Sequence, residues 1–362
     1  MKKFNEIFID KTKYGEKIQT SEYEKQGKHI IVDQGQAEIA GYTNREEGLF
    51  NEVPVIIFGD HTRLIKYIDE PFFLGADGVK VLRSKEKNAN YKYLYYALKS
   101  AKIPNTGYNR HFKWLKDVEI NYPDSVKQEK IVDILDRVSD VIEKRKAELS
   151  YLDTLIKARF VEMFGDPVSN PYGYDKVALS DLADIKIGPF GSLLHKEDYI
   201  DGGHPLLNPS HIVDGKVSPD DKLTISDEKY EELSAYQLKT GDVVMGRRGE
   251  MGRCAVVPED GFLCGTGSML IRTKGEVTAD YIQKIISFPS FKKTIEDMAV
   301  GQTMPNLNVP IVSGFQIIKP PMEVQDRYYA FAEQVNKSKV AVQKALDETQ
   351  ILFDSLMQKY FG

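Results

Sequence analysis

Residues 120–138 read INYPDSVKQEKIVDILDRV, and residues 317–335 read IIKPPMEVQDRYYAFAEQV. Each stretch has an isoleucine, then a proline three positions later, then a glutamine five positions after the proline. The interval of 197 residues between the stretches also separates two Phe-Gly pairs, Phe164–Gly165 and Phe361–Gly362. Because this register holds without a gap, the sequence contains two copies of one large unit rather than a short-period repeat.

The proline in each copy is followed by apolar residues at heptad spacing. Two matched heptad stripes in one chain favour long helices that pack against each other, whereas a single stripe commonly packs a helix on its own domain. The polar residues Arg145 and Arg159 interrupt the first stripe, and Lys339 and Thr349 interrupt the second. The stripes consist of Ile131, Leu135, Val138, Ile142, Leu149, Leu152, Ile156 and Met163, and of Tyr328, Ala332, Val335, Val342, Leu346, Phe353, Leu356 and Tyr360.

The residues before each helix indicate compact α/β structure. Short apolar runs alternate with Gly, Asp and Asn turns, which is typical of short strands. Helices are predicted at Tyr91–Ala101 and Ala279–Ile286. The predicted fold class is therefore α+β, with two α/β domains in tandem repeat, each followed by a long helix. The predicted segments are a first domain at 1–122, a first long helix at 123–166, a second domain at 167–320 and a second long helix at 321–362.

Composition describes an ordinary globular chain of 362 residues, 41% hydrophobic and 28% charged. No apolar run is long enough to span a membrane, and MKKFNEIFID has no signal-peptide core, so we expect a cytoplasmic protein without membrane partners. Two cysteines and six scattered histidines lack metal-ligand spacing, which predicts reduced thiols and no metal. The net charge of −5 argues against a generic polyanion binder, yet residues 61–116 carry 12 Lys and Arg against 4 Asp and Glu.

Motifs for catalysis are missing from the sequence. It contains neither a Walker loop nor a GxGxxG that opens a helix, so no cofactor is predicted. NPSH at Asn208–His211 resembles a methyltransferase motif but lacks the aromatic residue that would stack on a base. Pro219 and Asp220 imitate a nuclease motif with Asp227–Lys229, but the two parts are too close together. The chain is therefore predicted to do no catalysis itself.

Polar and basic residues instead cluster on loops, several of them at equivalent places in the two copies. Arginine suits phosphate or the O6/N7 edge of guanine, Asn and Gln suit adenine, and glycine lets a backbone approach a partner closely. Any one loop alone is best interpreted as a polar surface turn. The candidate DNA-binding residues are His61, Thr62, Arg63 and Lys66; Tyr108, Asn109, Arg110 and His111; Arg247, Arg248 and Arg253; and Gln302, Thr303, Asn306 and Asn308.

These features together resemble the DNA-specificity subunit of Type I restriction–modification enzymes. The resemblance covers essentially the whole chain and rests on FGDHTR…GADGVKVLR, the GDVVM…G..G turn, the I..P....Q entry to each helix and the closing FG. It implies that each domain reads one half of a bipartite double-stranded DNA target. It also implies that the helices pack as an antiparallel coiled coil and dock two modification subunits, which methylate adenine with S-adenosylmethionine. A further restriction and translocase subunit would use ATP.

One departure from the repeat is visible. The second half is longer than the first, and its lead-in PYGYDKVALSDLADI has little counterpart before Phe4. We expect either a trimmed first domain or a start slightly inside the usual domain boundary. Other interpretations stay open at this point. They are a specificity chain of a Type II-like methyltransferase or nuclease, and a coiled-coil scaffold with ligand-binding domains; a stand-alone methyltransferase or nuclease is disfavoured because the cofactor motif is missing.

Overall fold

The computed structural model describes residues 1–75, 78–299 and 306–362. The chain divides into two compact units, one made of Met1–Leu149 with Val340–Gly362 and the other of Ser150–Lys339. The boundaries fall inside both long helices. Each unit therefore contains one α/β domain together with a segment of each long helix.

The described residues of the first domain form a four-stranded sheet, a three-stranded sheet and a two-stranded pair of its first and last strands. Its strands are β1 (Lys2–Lys3), β2 (Phe8–Asp10), β3 (His29–Val32), β4 (Gly41–Thr43), β5 (Val55–Gly59), β6 (Ile65–Ile68), β7 (Phe72–Leu74), β8 (Val79–Ser84) and β9 (Glu119–Ile120). The larger sheet is antiparallel in the order β2-β8-β5-β6, and the smaller has the order β4-β3-β7 with β3 parallel to β7. The helices are α1 (Phe4–Ile7), α2 (Tyr91–Lys99), α3 (Phe112–Leu115) and the long α4 (Ser125–Phe164), with 3-10 turns at Thr12–Tyr14 and Thr20–Glu22.

The second domain repeats this plan. Its strands are β10 (Lys176–Ala178), β11 (Ala183–Ile187), β12 (Tyr199–Ile200), β13 (His204–Leu207), β14 (Ile212–Val213), β15 (Lys216–Val217), β16 (Thr224–Ile225), β17 (Val243–Gly246), β18 (Cys254–Val256), β19 (Leu263–Cys264), β20 (Ser268–Thr273) and β21 (Gln316–Ile318). The order β11-β20-β17-β18 matches the larger sheet, and β13 runs parallel to β19 as β3 does to β7. The helices are α5 (Leu179–Leu182), α6 (Asp227–Glu232), α7 (Ala279–Ile286), α8 (Pro289–Met298), α9 (Val309–Ser313) and the long α10 (Met322–Phe361), with 3-10 turns at Gly191–Leu193, Lys196–Asp198, Pro209–His211 and Ser234–Tyr236.

The two domains also begin in the same way. Lys2 pairs with Ile120 in the first domain as Val177 pairs with Ile317 in the second, and a short helix follows in each case. The expectation that the lead-in of the second copy has little counterpart is therefore wrong for its KVALSDLADI part. Part of the extra length of the second half is α8, which has no counterpart among the described residues of the first domain.

The glutamine in each helix entry explains the proline-to-glutamine spacing of the sequence. Gln128 and Gln325 are both buried, and each side-chain amide donates to the carbonyl of the proline five residues earlier, at 2.9 Å to Pro123 and 3.0 Å to Pro320. Each proline lies one residue before Asp124 or Pro321, whose carbonyl accepts the first main-chain hydrogen bond of the helix, so the proline carbonyl needs a donor from elsewhere. The glutamine supplies this donor and fixes the angle at which the chain enters each long helix.

The Phe-Gly at the end of each long helix closes onto a buried tyrosine of a domain. In the second unit, Phe164 is fully buried with its ring centroid 5.2 Å from that of Tyr281 on α7. In the first unit, Phe361 lies 5.3 Å from Tyr93 on α2. The hydroxyl of Tyr281 donates to the carbonyl of Ile318 at 3.0 Å, and the hydroxyl of Tyr93 donates to that of Asn121 at 2.7 Å. Each helix thus ends in the domain that it does not follow in sequence.

Contacts within each unit confirm the antiparallel pairing of the long helices. In the first unit, Arg145 donates to the carbonyl of Ala345 and the hydroxyl of Thr349, so polar interruptions of the two stripes meet. In the second unit, Lys339 pairs with Asp153, and the ring of Tyr328 packs on that of Phe160. All residues of both heptad stripes are buried or half-buried, as the spacing predicts.

The two cysteines are structural. Cys254 and Cys264 are both free and buried. Burial raises the pKa of the Cys254 thiol to about 11 and that of Cys264 to about 12, so both stay protonated near neutral pH.

Replacing Phe164 with alanine tests the closure at the end of the first long helix. We expect Phe164→Ala to lower the stability of the chain by about 3–5 kcal/mol, because it empties a fully buried aromatic site. Thermal unfolding followed by circular dichroism measures the effect. The matched control is Phe190→Ala, since that ring is 62% exposed. Equal melting temperatures for both variants would contradict the anchoring role of Phe164.

Candidate nucleic-acid interface

The first candidate interface lies at one end of the larger sheet of the first domain. Gly59, the last residue of β5, pairs with Val79, the first residue of β8. The turn that follows Gly59 carries His61, Thr62 and Arg63 before β6 begins. A second loop, which precedes α3, carries the other predicted residues of this half.

Asp60 joins these two loops. Its carboxylate accepts a hydrogen bond from the main-chain amide of Phe112 at 2.7 Å, and its carbonyl accepts one from the amide of His111 at 2.8 Å. The His111 ring lies 3.0 Å from the same carbonyl through Nδ1, which therefore donates, and 3.4 Å from the Thr106 hydroxyl through Nε2. Asp60 is 3% exposed and His111 is fully buried. This buried junction holds the turn and the loop side by side.

Two predicted residues therefore have supporting positions in the interior. His111 belongs to the junction just described. Lys66 is buried, and its ammonium donates to the carbonyls of Asp33 and Ala37 at 2.8 Å and 2.5 Å. Burial lowers the pKa of Lys66, with the charge of Asp33 opposing that shift. Since neither side chain faces solvent, we leave Lys66 and His111 out of the set proposed to touch DNA.

Gln34 holds the turn from the other side. Its side-chain oxygen accepts from the His61 amide at 3.1 Å, and its carbonyl accepts from the Thr62 hydroxyl at 2.7 Å. Arg63 has a positive φ of 62° and donates to the carbonyl of Ile103 at 3.3 Å. The turn is thus fixed by groups on three separate segments. Sequence reasoning missed Gln34, which belongs to no periodic pattern or motif. Asp60 lies in the FGDHTR motif, but its role in joining the two loops was not predicted.

The exposed part of this interface is aromatic and basic. The rings of His61 and Tyr108 stack with centroids 4.7 Å apart and planes within 11° of each other. Tyr108 is 87% exposed, so the outer part of this stack faces solvent. Asn109 and Arg110 follow it and are exposed, and no described residue pairs with the Arg110 guanidinium. The arrangement presents a flat ring and an exposed cation on one fixed loop.

The second candidate interface lies at the equivalent end of the larger sheet of the second domain. Gly246, the last residue of β17, pairs with Ser268, the first residue of β20, as Gly59 pairs with Val79. Arg247 and Arg248 follow Gly246 directly. Arg247 therefore occupies the position that Asp60 has in the first domain.

Arg247 is clamped through its main chain and its side chain. Its amide donates to the carbonyl of Gly267 at 3.0 Å, and its carbonyl accepts from the amide of Leu307 at 2.9 Å. Its Nε donates to the side-chain oxygen of Asn306 at 3.2 Å, and Arg248 forms a bridge with Asn306 through the main chain. Partial burial and the neighbouring charge of Arg248 lower the pKa of Arg247. The structure thus brings Arg247, Arg248 and Asn306 together from positions about 60 residues apart.

The remaining predicted residues of the second half differ in exposure and partners. Arg253 is half-buried and makes an ion pair with Glu250 at 2.7 Å, which lowers the pKa of that carboxylate. Asn308 is exposed, but its side-chain oxygen caps α9 by accepting from the amide of Ile311 at 2.9 Å. Gln302 and Thr303 lie outside the described residues.

Neither interface has the donors of a metal centre. Within 1–75, 78–299 and 306–362, His, Cys, Asp and Glu side chains do not gather into a group that could hold a metal ion. None of the helices described there is long and apolar enough to cross a membrane. The side chains at these two sheet ends can form hydrogen bonds, stack on flat rings and supply positive charge.

Removing the Asp60 carboxylate tests how the first interface is held. We expect Asp60→Ala to lower the stability of the first unit by about 1–3 kcal/mol, because it leaves the buried Phe112 amide without an acceptor. Asp60→Asn keeps an oxygen acceptor and should recover most of the loss. Hydrogen exchange at Phe112 provides the local measurement. If the Phe112 amide is equally protected in Asp60→Ala, Asp60 does not hold the two loops together.

Comparison with known proteins places this chain in a family. A family model described as the Type I restriction modification DNA specificity domain matches residues 1–151 and 171–349. The specificity subunit of the Type I restriction enzyme MjaIX from Methanocaldococcus jannaschii is 24% identical over 272 residues, which is 68% of this chain and 60% of the relative. The chain therefore matches less than two thirds of the length of that relative.

Solved structures show the same fold. The S subunit of the Type I restriction–modification system from M. genitalium has a TM-score of 0.60 at 16% identity, over 100% of this chain and 95% of that one. A chain from a structure of the type I R-M system has a TM-score of 0.59 at 17% identity, over 98% and 91%. At such identities the likeness concerns the fold alone.

Proposed function

The chain belongs to the family of Type I restriction modification DNA specificity domains, and we propose that it supplies DNA recognition to a Type I restriction–modification complex. Each α/β domain reads one half of a bipartite double-stranded target. The proposed recognition domains are residues 1–122 and 167–320, and the helices at 123–166 and 321–362 separate them. The chain itself carries out no catalysis.

The pair of equivalent sheet ends is the observation that carries this proposal. In the first domain, the turn after β5 meets the loop around Asn109; in the second, the turn after β17 meets the loop around Asn306. The repeat interval relates Asn109 to Asn306. Both ends present polar or cationic side chains on loops that buried anchors hold in place. Rigid loops on a repeated scaffold suit the reading of two different half-sites.

Among the described residues, those proposed to touch DNA are the predicted ones that are not buried. In the first domain they are His61, Thr62, Arg63, Tyr108, Asn109 and Arg110; in the second they are Arg247, Arg248, Arg253, Asn306 and Asn308. Gln302 and Thr303 are kept from the sequence prediction, since they lie outside the described residues. Arginine and asparagine suit base edges, and exposed cations suit phosphates. The net charge of the chain is −5, so we propose that partner subunits supply much of the phosphate contact.

The long helices are proposed to dock two modification subunits. Their heptad residues are buried or half-buried; Leu135 and Phe353, for example, belong to one buried cluster that also contains Tyr93 and Tyr96 of α2. Exposed apolar side chains are what remains for a partner. Leu155 and Leu352, which the repeat interval relates, are 46% and 51% exposed. Two equivalent apolar positions in one chain match two copies of one partner.

The activities of the complex are proposed to reside in its partners. Modification subunits would bring S-adenosylmethionine and methylate adenine, and a restriction and translocase subunit would use ATP to cleave. We place the complex in the cytoplasm, where the DNA is. A coiled-coil scaffold with ligand-binding domains remains the contrasting function, and it predicts no DNA retention.

Sequencing the methylome of cells that express this chain with its neighbouring methyltransferase tests the proposal. We expect adenine methylation at one bipartite sequence whose two halves flank an unread gap. Cells with the methyltransferase alone are the control and should lack that mark. A complex that forms but leaves no bipartite methylation would sink the assignment and favour the scaffold.

Arg110→Ala tests the first interface. We expect it to weaken binding of the purified complex to its target by about 1–3 kcal/mol and to relax selectivity in one half-site only. Arg83→Ala is the matched control, because Arg83 lies at the other end of β8 from Val79 and pairs with Glu52 at 3.1 Å. Equal weakening on all sequences, with a reduced salt slope, would show a phosphate contact instead.

Leu155→Asp and Leu352→Asp test docking on the helices. Each change puts a charge on an exposed apolar position, so each should remove one modification subunit of two, and the double variant both. Native mass spectrometry of the complex reads the stoichiometry. Val340→Asp is the control, since Val340 is 72% exposed and its repeat counterpart, Glu143, is already acidic. Full assembly by the double variant would rule out this docking surface.

A further inference from the structure

Arg247 differs from the other arginines of the two interfaces in how its guanidinium is held. Its Nε donates to the Asn306 side chain, and this bond fixes the plane of the guanidinium. Among the described residues, neither terminal nitrogen of Arg247 has a hydrogen-bond or ion-pair partner. Arg253, by contrast, uses Nε and both terminal nitrogens on Glu250 and the carbonyl of Pro209.

The main chain around Arg247 adds to this pre-organisation. Hydrogen bonds from the Arg247 amide to Gly267 and from Leu307 to the Arg247 carbonyl lock the residue on both sides. Gly246, before it, packs so closely on Pro209 that a Cβ there would lie 3.0 Å from the proline ring. The arginine therefore projects from a rigid base, and little conformational entropy is lost when its terminal nitrogens bind.

The two terminal nitrogens of this guanidinium match a specific pair of acceptors. Two parallel N–H groups in one plane match the O6 and N7 atoms of guanine in the major groove, and no other base presents two acceptors there at that spacing. A phosphate would accept the same fork, but it does not require a fixed plane. The Asn306 contact is the feature that favours a base over a phosphate.

We infer that Arg247 reads a guanine in the half-site of the second domain and that Asn306 is a positioning residue that orients the guanidinium. This inference rests on the proposed function and adds the base and the atoms recognised. It changes the role of Asn306, because the oxygen that would be used to read adenine is already accepting from Arg247. The first domain has Asp60 at the equivalent position, so the inference concerns one half-site only.

The test couples a protein variant to a single atom of DNA. The target sequence is first identified from the methylome, and binding of the complex to DNA of that sequence is measured. The guanines of the target are then replaced one at a time by 7-deazaguanine, which lacks the N7 acceptor. We expect one position in one half-site at which the wild-type complex loses on the order of 10- to 100-fold in affinity. At that position the Arg247→Ala variant already lacks the contact, so 7-deazaguanine should lower its affinity almost no further.

Two further variants separate reading from positioning. Asn306→Ala should reduce the 7-deazaguanine effect at the same position while keeping part of it, because the arginine remains but is no longer held in its plane. Arg110→Ala is the matched control from the other domain, and it should keep the full effect there. Circular dichroism confirms that each variant is folded.

The outcomes distinguish the inference from the function beneath it. If the complex leaves no bipartite methylation, the proposed function fails, and the inference fails with it because there is no half-site for Arg247 to read. Suppose instead that the target is methylated, but that the fold-losses in affinity caused by Arg247→Ala and by 7-deazaguanine are independent and multiply at every guanine. Arg247 then does not read guanine. Equal weakening of all sequences by Arg247→Ala, with a reduced salt slope, identifies a phosphate contact and overturns the inference as well.

Discussion

The contact between the end of each long helix and a buried tyrosine is the constraint on which the rest of the structure depends. Phe164 packs on Tyr281, and Phe361 packs on Tyr93. Tyr281 in turn donates to the carbonyl of Ile318 at the end of β21, and Tyr93 to that of Asn121 just after β9; each carbonyl lies shortly before the next long helix. A helix that follows one domain therefore completes the core of the other. Burying a phenylalanine side chain contributes a few kcal/mol, so neither domain keeps its full core without the helix from the other repeat.

Polar groups at the two sheet ends divide into those that are buried and those that are available. Asp60, His111 and Lys66 are buried and satisfied by main-chain groups. A buried polar side chain without a partner would destabilise the fold, so these residues are committed to the scaffold. Their hydrogen bonds fix loops whose outer residues, Tyr108 and Arg110, are left to meet a partner.

The two sheet ends share a scaffold but differ in chemistry. Where the first domain has Asp60, which joins two loops, the second has Arg247, which is joined to Asn306. The first domain offers an aromatic stack and an exposed arginine; the second offers a guanidinium held by Asn306 beside a second arginine. This difference is consistent with two half-sites of different sequence, because recognition depends on loop residues rather than on the fold that carries them.

The sequence by itself determined the repeat, the heptad stripes, the paired domains and the helices near Tyr91 and Ala279, because periodicity and spacing record which face of an element is buried. Periodicity does not record what that face is buried against. Only the tertiary structure decided that each long helix ends in the domain of the other repeat. It also decided that Lys66 and His111 face inward, since the carbonyls that accept from them come from distant segments. The grouping of Arg247 with Asn306 arises in the same way, because a loop and a sheet end separated in sequence meet only when the sheet has formed.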